Sequence, residues 1–301
     1  MKCLVTGGCG FIGSHVVDFL LEAGHTVHVI DNLETGTKEN YNSSATYTFE
    51  SIANETALSE CFDSVKPDWV FHLAALPRIM PSFEDPEYHH TTNVTTIFPL
   101  LKLSKDHNVK MFINSSSSAV YGNPTELPTT ESAAITPLSP YALQKYTAEQ
   151  YVHILSKHLG LPHASLRYFN PYGPRSFNPN NPQNAYSSVV GIFLNQYKKG
   201  EAITVTGTGE QKRDFIHVRD VAKANLFVAN NIEKSNGNIY NVGAGRTTSI
   251  IDLASMLSKD ITFIPARLGE ADITLADVSA LESLGWSTEE KLDDYINKEI
   301  S

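Results

Sequence analysis

The opening of the chain, residues 1–31, restricts the fold more than any other stretch. Cys3-Leu4-Val5 is a short apolar run that enters Thr6-Gly7-Gly8-Cys9-Gly10-Phe11-Ile12-Gly13. From Ser14 to Ala23, Val16, Val17, Leu20 and Leu21 recur at helical spacing, and Gly24 ends the run. Thr26-Val27-His28-Val29-Ile30 reads as a second strand and stops on Asp31. Strand, glycine turn, helix, strand and terminal acid, in that order, form a dinucleotide-binding fingerprint in the context that gives it meaning.

Each part has a physical task. Gly7 and Gly10 allow a tight turn and let the backbone approach a pyrophosphate, and Gly13 lets helix and strand pack closely. The phosphates face amides at the helix N-terminus, those of Phe11 and Ile12. Asp31 lies 18 residues beyond Gly13, where a carboxylate accepts hydrogen bonds from an adenosine ribose. A carboxylate there repels a 2′-phosphate, so NAD is expected rather than NADP.

With 301 residues the chain buries a large core as one big domain or two modest ones. Its formal net charge of −10 argues against nucleic acid or an anionic membrane as partner. An anionic small ligand needs only a local basic patch. The three cysteines, Cys3, Cys9 and Cys61, fit no metal-site spacing, so reduced thiols in a cytoplasmic setting and no metal are expected. No apolar run approaches membrane-spanning length, and no leader is expected before the first strand.

Strand and helix patterns alternate up to about Phe169, which predicts an α/β fold with a Rossmann-like, doubly wound parallel sheet. Thr46–Phe49, Pro67–Ala75, Lys110–Asn114 and Ala164–Phe169 read as further strands. Glu55–Ser64, Tyr88–His107 and Ser139–His158 read as helices, the last opened by Ser139-Pro140 as N-cap and N1. His72, at a strand end, is expected to be a hydrogen-bonded structural histidine. Arg78–Pro86 and Asn170–Tyr186 read as loops. The remainder has shorter elements and suits a smaller α/β substrate-binding region. The expected division is a dinucleotide domain over 1–169, with 214–242 returning to it, and a nucleotide-sugar domain over 170–301.

Tyr141 and Lys145 are four residues apart on a helix and share a face. A free tyrosine titrates near pH ~10, too high for a base at neutral pH. A nearby ammonium and a cationic nicotinamide both favour the phenolate. Ser117, at the end of the preceding strand, is placed to hydrogen-bond the same substrate oxygen.

The chain resembles the extended short-chain dehydrogenase/reductase superfamily, in particular its NAD-dependent nucleotide-sugar 4-epimerases. The motifs are the turn over 6–13, Phe71-His72-Leu73-Ala74-Ala75, Ser115-Ser116-Ser117-Ser118-Ala119-Val120-Tyr121-Gly122 and Tyr141-Ala142-Leu143-Gln144-Lys145. To these are added Arg167-Tyr168-Phe169-Asn170-Pro171-Tyr172-Gly173-Pro174-Arg175 and Gly209-Glu210-Gln211-Lys212-Arg213-Asp214-Phe215. The resemblance implies catalysis by Ser117, Tyr141 and Lys145. It implies NAD contacts by Gly7, Gly10, Phe11, Ile12, Asp31, Asn32, Ile52, Leu73, Ala74, Ala75, Asn93, Ser115, Tyr141, Lys145 and Tyr168. It implies substrate contacts by Ser117, Asn170, Val205, Arg213, Arg267, Glu270 and Thr274, with both arginines on a pyrophosphate, Glu270 on a uridine ribose and Val205 beside the uracil.

Related dehydratases carry an Asp-Glu pair after the catalytic serine or threonine, and related decarboxylases a glutamate two residues before the tyrosine of Val-Tyr-Gly. This chain has Ser118 and Ala119 there, and neither serves as an acid or base for elimination. Thr274 replaces the bulky residue that restricts some relatives to plain hexoses. The expected substrates are therefore UDP-N-acetylglucosamine and UDP-N-acetylgalactosamine, with UDP-glucose and UDP-galactose weaker. Alternatives are epimerisation or keto-reduction of another nucleotide sugar, such as a uronic acid beside Arg78, and a non-catalytic NAD-sensing protein. Ser51 stands where relatives place an aspartate near adenine. The resemblance also implies a homodimer through a four-helix bundle formed by the Tyr88–His107 and Pro140–His158 helices.

Overall fold

A computed structural model describes residues 1–178, 187–266 and 269–301. Six strands come first: β1 (Lys2–Thr6), β2 (Thr26–Ile30), β3 (Thr46–Thr48), β4 (Trp69–His72), β5 (Met111–Ser117) and β6 (His163–Tyr168). Four short strands follow, β7 (Pro171–Tyr172), β8 (Ile203–Thr206), β9 (Lys212–Asp214) and β10 (Ile216–His217). Then β11 (Asn238–Val242) returns to the first sheet, and β12 (Thr247–Ser249) and β13 (Ile261–Ile264) close the series. The main sheet has seven strands in the order β11-β6-β5-β4-β1-β2-β3. Every pairing within it is parallel. Strand order reverses between β1 and β4, where an open α/β sheet leaves a crevice beyond its carboxyl ends.

Alternate side chains of these strands go to opposite faces, and both faces are covered. On one, Cys3, Val5, Trp69, Phe71, Met111 and Ile113 pack against α1 (Phe11–Glu22) and, later in the chain, the helix over 218–230. On the other, Leu4, Val70 and Phe112 meet α2 (Glu55–Val65) and two helices over 97–106 and 140–159. Between α2 and those helices lie α3 (Ile79–Glu84) and α4 (Pro86–His90). The pair is then α5 (Ile97–Asp106) and α6 (Pro140–Leu159), with α7 (Val189–Lys198) and α8 (Val218–Asn230) after them. The remaining helices are α9 (Ile232–Ser235), α10 (Ile250–Leu257), α11 (Ser279–Glu282) and α12 (Leu292–Ile300).

A second core forms from Val190, Phe193, Leu194, Ile203, Val205, Leu253, Leu257, Leu292 and Ile296. It joins α7, α10 and α12 to the β8–β13 ribbon, which is parallel, while β9 and β12 pair antiparallel. Among the described residues, no helix is long and apolar enough to cross a membrane.

Several local readings need correction. Residues 78–86 are not a loop: α3 occupies Ile79–Glu84, and Asp85 caps α4 by accepting from the Tyr88 amide at 3.0 Å. The helix expected over 88–107 is interrupted by a π-turn at Thr91–Thr95. The strand expected over 110–114 runs on through Ser115, Ser116 and Ser117 as β5, because a central strand supplies their backbone partners and short hydroxyl side chains fit against the neighbours, and Ser118 opens the helical turn that follows. The C-terminal helix α12 has no counterpart in the sequence reading.

Candidate active site

The sequence turns sharply where β1 ends. Gly7 has φ +72°, and a Cβ there would lie 2.6 Å from the Ala74 amide nitrogen. On Gly13 a Cβ would meet the Gly7 carbonyl oxygen at 2.1 Å. Only hydrogen at these positions lets α1 begin directly over the strand ends. Gly10 caps α1 without any side-chain hydrogen bond, so the positive end of the helix faces the crevice. Thr6 Oγ1 accepts from the Ala74 amide at 3.2 Å and pairs with His72 Nδ1 at 2.8 Å, which ties β1 to the end of β4. Burial and the charge of Lys145 push His72 down to about 3, so it is neutral and structural, as expected.

Asp31 ends β2 facing this turn. Its two carboxylate oxygens accept from the Cys9 amide at 2.9 Å and the Leu33 amide at 2.8 Å. Burial raises its pKa and those two amides oppose the rise. Cys9 is buried and its thiol is pushed up to about 12 by desolvation, an inert filler rather than a nucleophile.

A cavity of about 560 Å³ runs from this turn across the carboxyl ends of β4, β5 and β6 to the second lobe. Gly7, Gly10, Phe11, Ile12, Asp31, Asn32, Ile52, Leu73, Ala74, Ala75, Ser115 and Tyr168 line its first half. Ser117, Tyr141 and Lys145 line its middle, and Asn170, Arg213, Glu270 and Thr274 line its far end. The missing side chains at Gly7 and Gly13, the helix N-terminus that begins at Gly10 and the Asp31 carboxylate beside the turn together fit NAD.

The central three residues are firmly held. Ser139 caps α6 by accepting from the Ala142 amide at 3.2 Å, with Pro140 at the first helical position. The Tyr141 amide donates to Ser82 Oγ at 3.0 Å, which anchors the start of α6 to α3. The Ser117 hydroxyl accepts from the Ala119 amide at 3.2 Å and also bonds the Tyr141 hydroxyl. Within the protein alone, burial raises the Tyr141 pKa, and the Ser117 bond opposes the rise only in part. The lowering expected from Lys145 is absent in the protein alone: the one group that lowers the Tyr141 pKa there is Ser117. Burial brings Lys145 itself down to about 8, and the carboxylate of Glu149 resists that fall.

At the far end, Asn170 Nδ2 donates to Thr274 Oγ1 at 3.0 Å and to the Asp214 carbonyl at 3.1 Å. Thr274 Oγ1 also accepts from the Asp214 amide at 3.1 Å. Arg213 pairs with Glu270 at 3.3 Å and donates to the carbonyls of Lys212 and Asp272.

Two expected contacts, Val205 and Asn93, lie off the cavity lining. Val205 points into the second core with no exposed surface, and its neighbour Thr206 lines the cavity instead. The alternation of a strand allows only one of the two to face the ligand. Asn93 stands behind the wall: it is bonded to both backbone groups of Leu76 and to Gln144 Oε1, and Thr92 is the lining residue. Arg267 lies outside the described residues. The sequence reading missed Arg175, Phe177 and Gln211, all of which line the cavity. Arg175 was already inside a quoted motif, and its φ of +66° is a left-handed conformation that an L side chain adopts at a cost.

Known proteins bear on these features. The model of the NAD dependent epimerase/dehydratase family matches residues 3–243. UDP-glucose 4-epimerase of Mycolicibacterium smegmatis is 33% identical over 312 residues, covering 100% of this chain and 97% of its own length. The crystal structure of UDP-glucose 4-epimerase with UDP-glucose from Thermotoga maritima superposes with a TM-score of 0.93 at 36% identity, covering 100% of this chain and 97% of that one. UDP-N-acetylglucosamine 4-epimerase from Methanobrevibacter ruminantium M1, in complex with UDP-N-acetylmuramic acid, gives 0.89 at 34%, covering 99% and 96%. The likeness runs through both lobes, and the chain belongs to the NAD dependent epimerase/dehydratase family, with NAD as its cofactor.

Proposed function

We propose that this enzyme inverts the 4-hydroxyl of a UDP-sugar, with UDP-N-acetylglucosamine and UDP-N-acetylgalactosamine preferred and the plain hexoses slower. One observation carries the reading: Ser117, Tyr141 and Lys145 line the same cavity as the dinucleotide turn, with Arg213 and Glu270 at its other end. When bound, NAD takes up and returns a hydride at the sugar C4, and its cationic ring favours the tyrosine phenolate. Tyr141 accepts the proton of the 4-hydroxyl and later gives it back to the carbonyl oxygen of the 4-keto sugar. Ser117 donates a hydrogen bond to that oxygen. Lys145 supplies the positive charge that burial makes hard to keep in water's absence.

Arg213 offers a guanidinium fork to a diphosphate. Thr274 is small, and its hydroxyl is fixed by Asn170 and the Asp214 amide, so it stays beside the sugar end without filling it. That room supports an N-acetylated substrate, and the Methanobrevibacter relative named for UDP-N-acetylglucosamine is consistent with it. A homodimer through α5 and α6 belongs to the same proposal. Phe98, Leu143, Tyr151 and Ile154 are exposed there, with the Phe98 and Tyr151 rings 4.8 Å apart edge to face.

The test is incubation with UDP-N-acetylglucosamine and proton NMR of the anomeric region. The galacto isomer should appear, and Tyr141→Phe should slow its appearance by about 10²–10⁴-fold with the fold intact. Turnover of UDP-glucose alone would refute the N-acetyl preference, and silence on every UDP-hexose would refute the epimerase reading.

A further inference from the structure

Behind the tyrosine helix lies a charged cluster sealed from water. Tyr141, Lys145 and Glu149 follow one another at four-residue steps on α6, so they share one face. Glu149 has no exposed surface, and Arg167 on β6 has 2%. Arg167 holds the carboxylate with both ends of its fork, Nε to Oε2 at 2.9 Å and Nη2 to Oε1 at 2.6 Å. Its remaining nitrogen donates to the Tyr121 hydroxyl at 2.7 Å and to the Glu131 carbonyl at 3.0 Å. The guanidinium also stacks over the Tyr121 ring at 4.8 Å, and the Tyr121 hydroxyl donates to Asn241 at 2.7 Å.

This cluster touches every element that carries the reaction. Tyr121 ends the short helical turn capped by Ser117. Arg167 precedes Tyr168 and lies in register with Ser116. Glu149 stands one turn beyond Lys145. A buried ion pair is rarely kept for stability alone, because desolvation offsets most of its attraction.

We propose that Glu149 is a positioning residue: fixed by Arg167, it is the counter-charge that holds Lys145 cationic beneath Tyr141. The proposal rests on the roles given above to Tyr141 and Lys145. Lys145 and Arg167 bring two positive charges into the sealed region, and among the described residues Glu149 brings the one carboxylate wholly buried between their elements. His72, from β4, is neutral, and Gln144 and Asn93 are uncharged. Glu131 is further out: its carboxylate accepts from the Asn241 amide at 2.9 Å, and burial raises its pKa. Tyr121 stays a phenol, with burial pushing it up to about 12.

The sign follows directly. Burial lowers the Lys145 pKa and Glu149 raises it, so loss of the carboxylate lowers it further. The ammonium form is then lost at lower pH, and the alkaline limb of turnover moves with it.

The experiment compares full-length wild type, Glu149→Gln and the double variant Glu149→Gln/Arg167→Met, each loaded with NAD. Lysine carrying ¹³C at Cε reports the titration of Lys145, identified by the signal missing from Lys145→Met. The Lys145 midpoint should fall by at least about one pH unit in Glu149→Gln, as for loss of a neighbouring opposite charge. The alkaline limb of kcat should shift equally, with KM changed less than about twofold because Glu149 is remote from the diphosphate end. The double variant, which leaves no uncompensated guanidinium, should fold and still titrate below wild type. A midpoint equal to wild type in the variants overturns the proposal, as does a lower kcat with an unshifted pH profile. The NMR titration needs no substrate, so it decides this point even where the wild type turns over no UDP-sugar and the functional reading itself fails.

Discussion

Gly13→Ala tests the link between the glycine turn and the cofactor most directly. The added methyl would sit 2.1 Å from the Gly7 oxygen, 2.9 Å from the Gly7 carbonyl carbon and 3.0 Å from the Gly8 Cα. All three atoms are backbone, so no side chain can swing away. Ordinary contact begins near 3.4 Å, so α1 and the turn must separate by more than about 1 Å. Overpacking of this kind costs about 3 kcal/mol, at the upper end of its usual range. Alanine returns about 1 kcal/mol through its better helix propensity, which leaves a net loss of about 2 kcal/mol. With an unfolding entropy of about 2.1 cal/mol/K per residue over 301 residues, that loss lowers Tm by roughly 3 °C.

The larger effect is expected on NAD, because the displaced atoms belong to the turn we propose as the seat of its pyrophosphate. Affinity measured by calorimetric titration should fall at least about tenfold. Gly24→Ala is the control: it also has a positive φ, +79°, but no atom lies within 4 Å of the new methyl. It should cost about 1 kcal/mol of stability and leave NAD binding unchanged. A Gly13→Ala protein that binds NAD within twofold of wild type, with Tm unchanged, refutes the close-approach argument.

Two further substitutions probe neighbouring claims. Asp31→Asn keeps one acceptor where the carboxylate now serves two amides, so NAD affinity should drop about tenfold while the NADP:NAD affinity ratio rises, read by titrating both nucleotides; an unchanged ratio would show that Asp31 does not discriminate. Ile154→Glu places a charge on the exposed apolar face of α6, where Ile154 is 60% exposed, and should halve the particle mass seen by light scattering; a wild type that is already a monomer, or a variant that stays dimeric, removes α6 from the interface.

The main sheet could be read from sequence because its signals are local. A short apolar run that gives way to a period of 3.6 at a glycine turn allows few alternatives, and the order at the start of the chain repeats in space as β1, α1 and β2. The cavity lining was readable where one motif sits at one strand end, as at Asp31 and Ser117, or at the start of one helix, as with the Tyr141–Lys145 pair. Readings failed where the deciding contact is tertiary. Pro81 and Pro86 punctuate residues 78–86 like a loop, yet α3 forms because α6 stands beside it and Ser82 meets the Tyr141 amide. Val205 and Thr206 differ by one position in a strand, and only the second core decides which faces inward. Asn93 is polar and buried, which resembles a ligand contact until Leu76 and Gln144 are seen to satisfy it.

The two ends of the cavity are built differently, and the difference suits the reaction proposed. The cofactor end rests on parallel strand ends locked to one another through Thr6, Ala74 and Asp31. The sugar end rests on loops, and those loops converge on one buried carboxylate: Asp214 accepts from the amides of Ala244 at 2.7 Å, Gly245 at 3.1 Å and Ala276 at 2.9 Å. Its own amide and carbonyl meet Thr274 and Asn170. A 4-epimerase must present both faces of one sugar carbon to a fixed hydride position, so its redox half needs rigidity and its sugar half needs room. Strand ends supply the first, and loops gathered on a single acceptor supply the second, because side chains at 170 and 274 can change without moving the nicotinamide end.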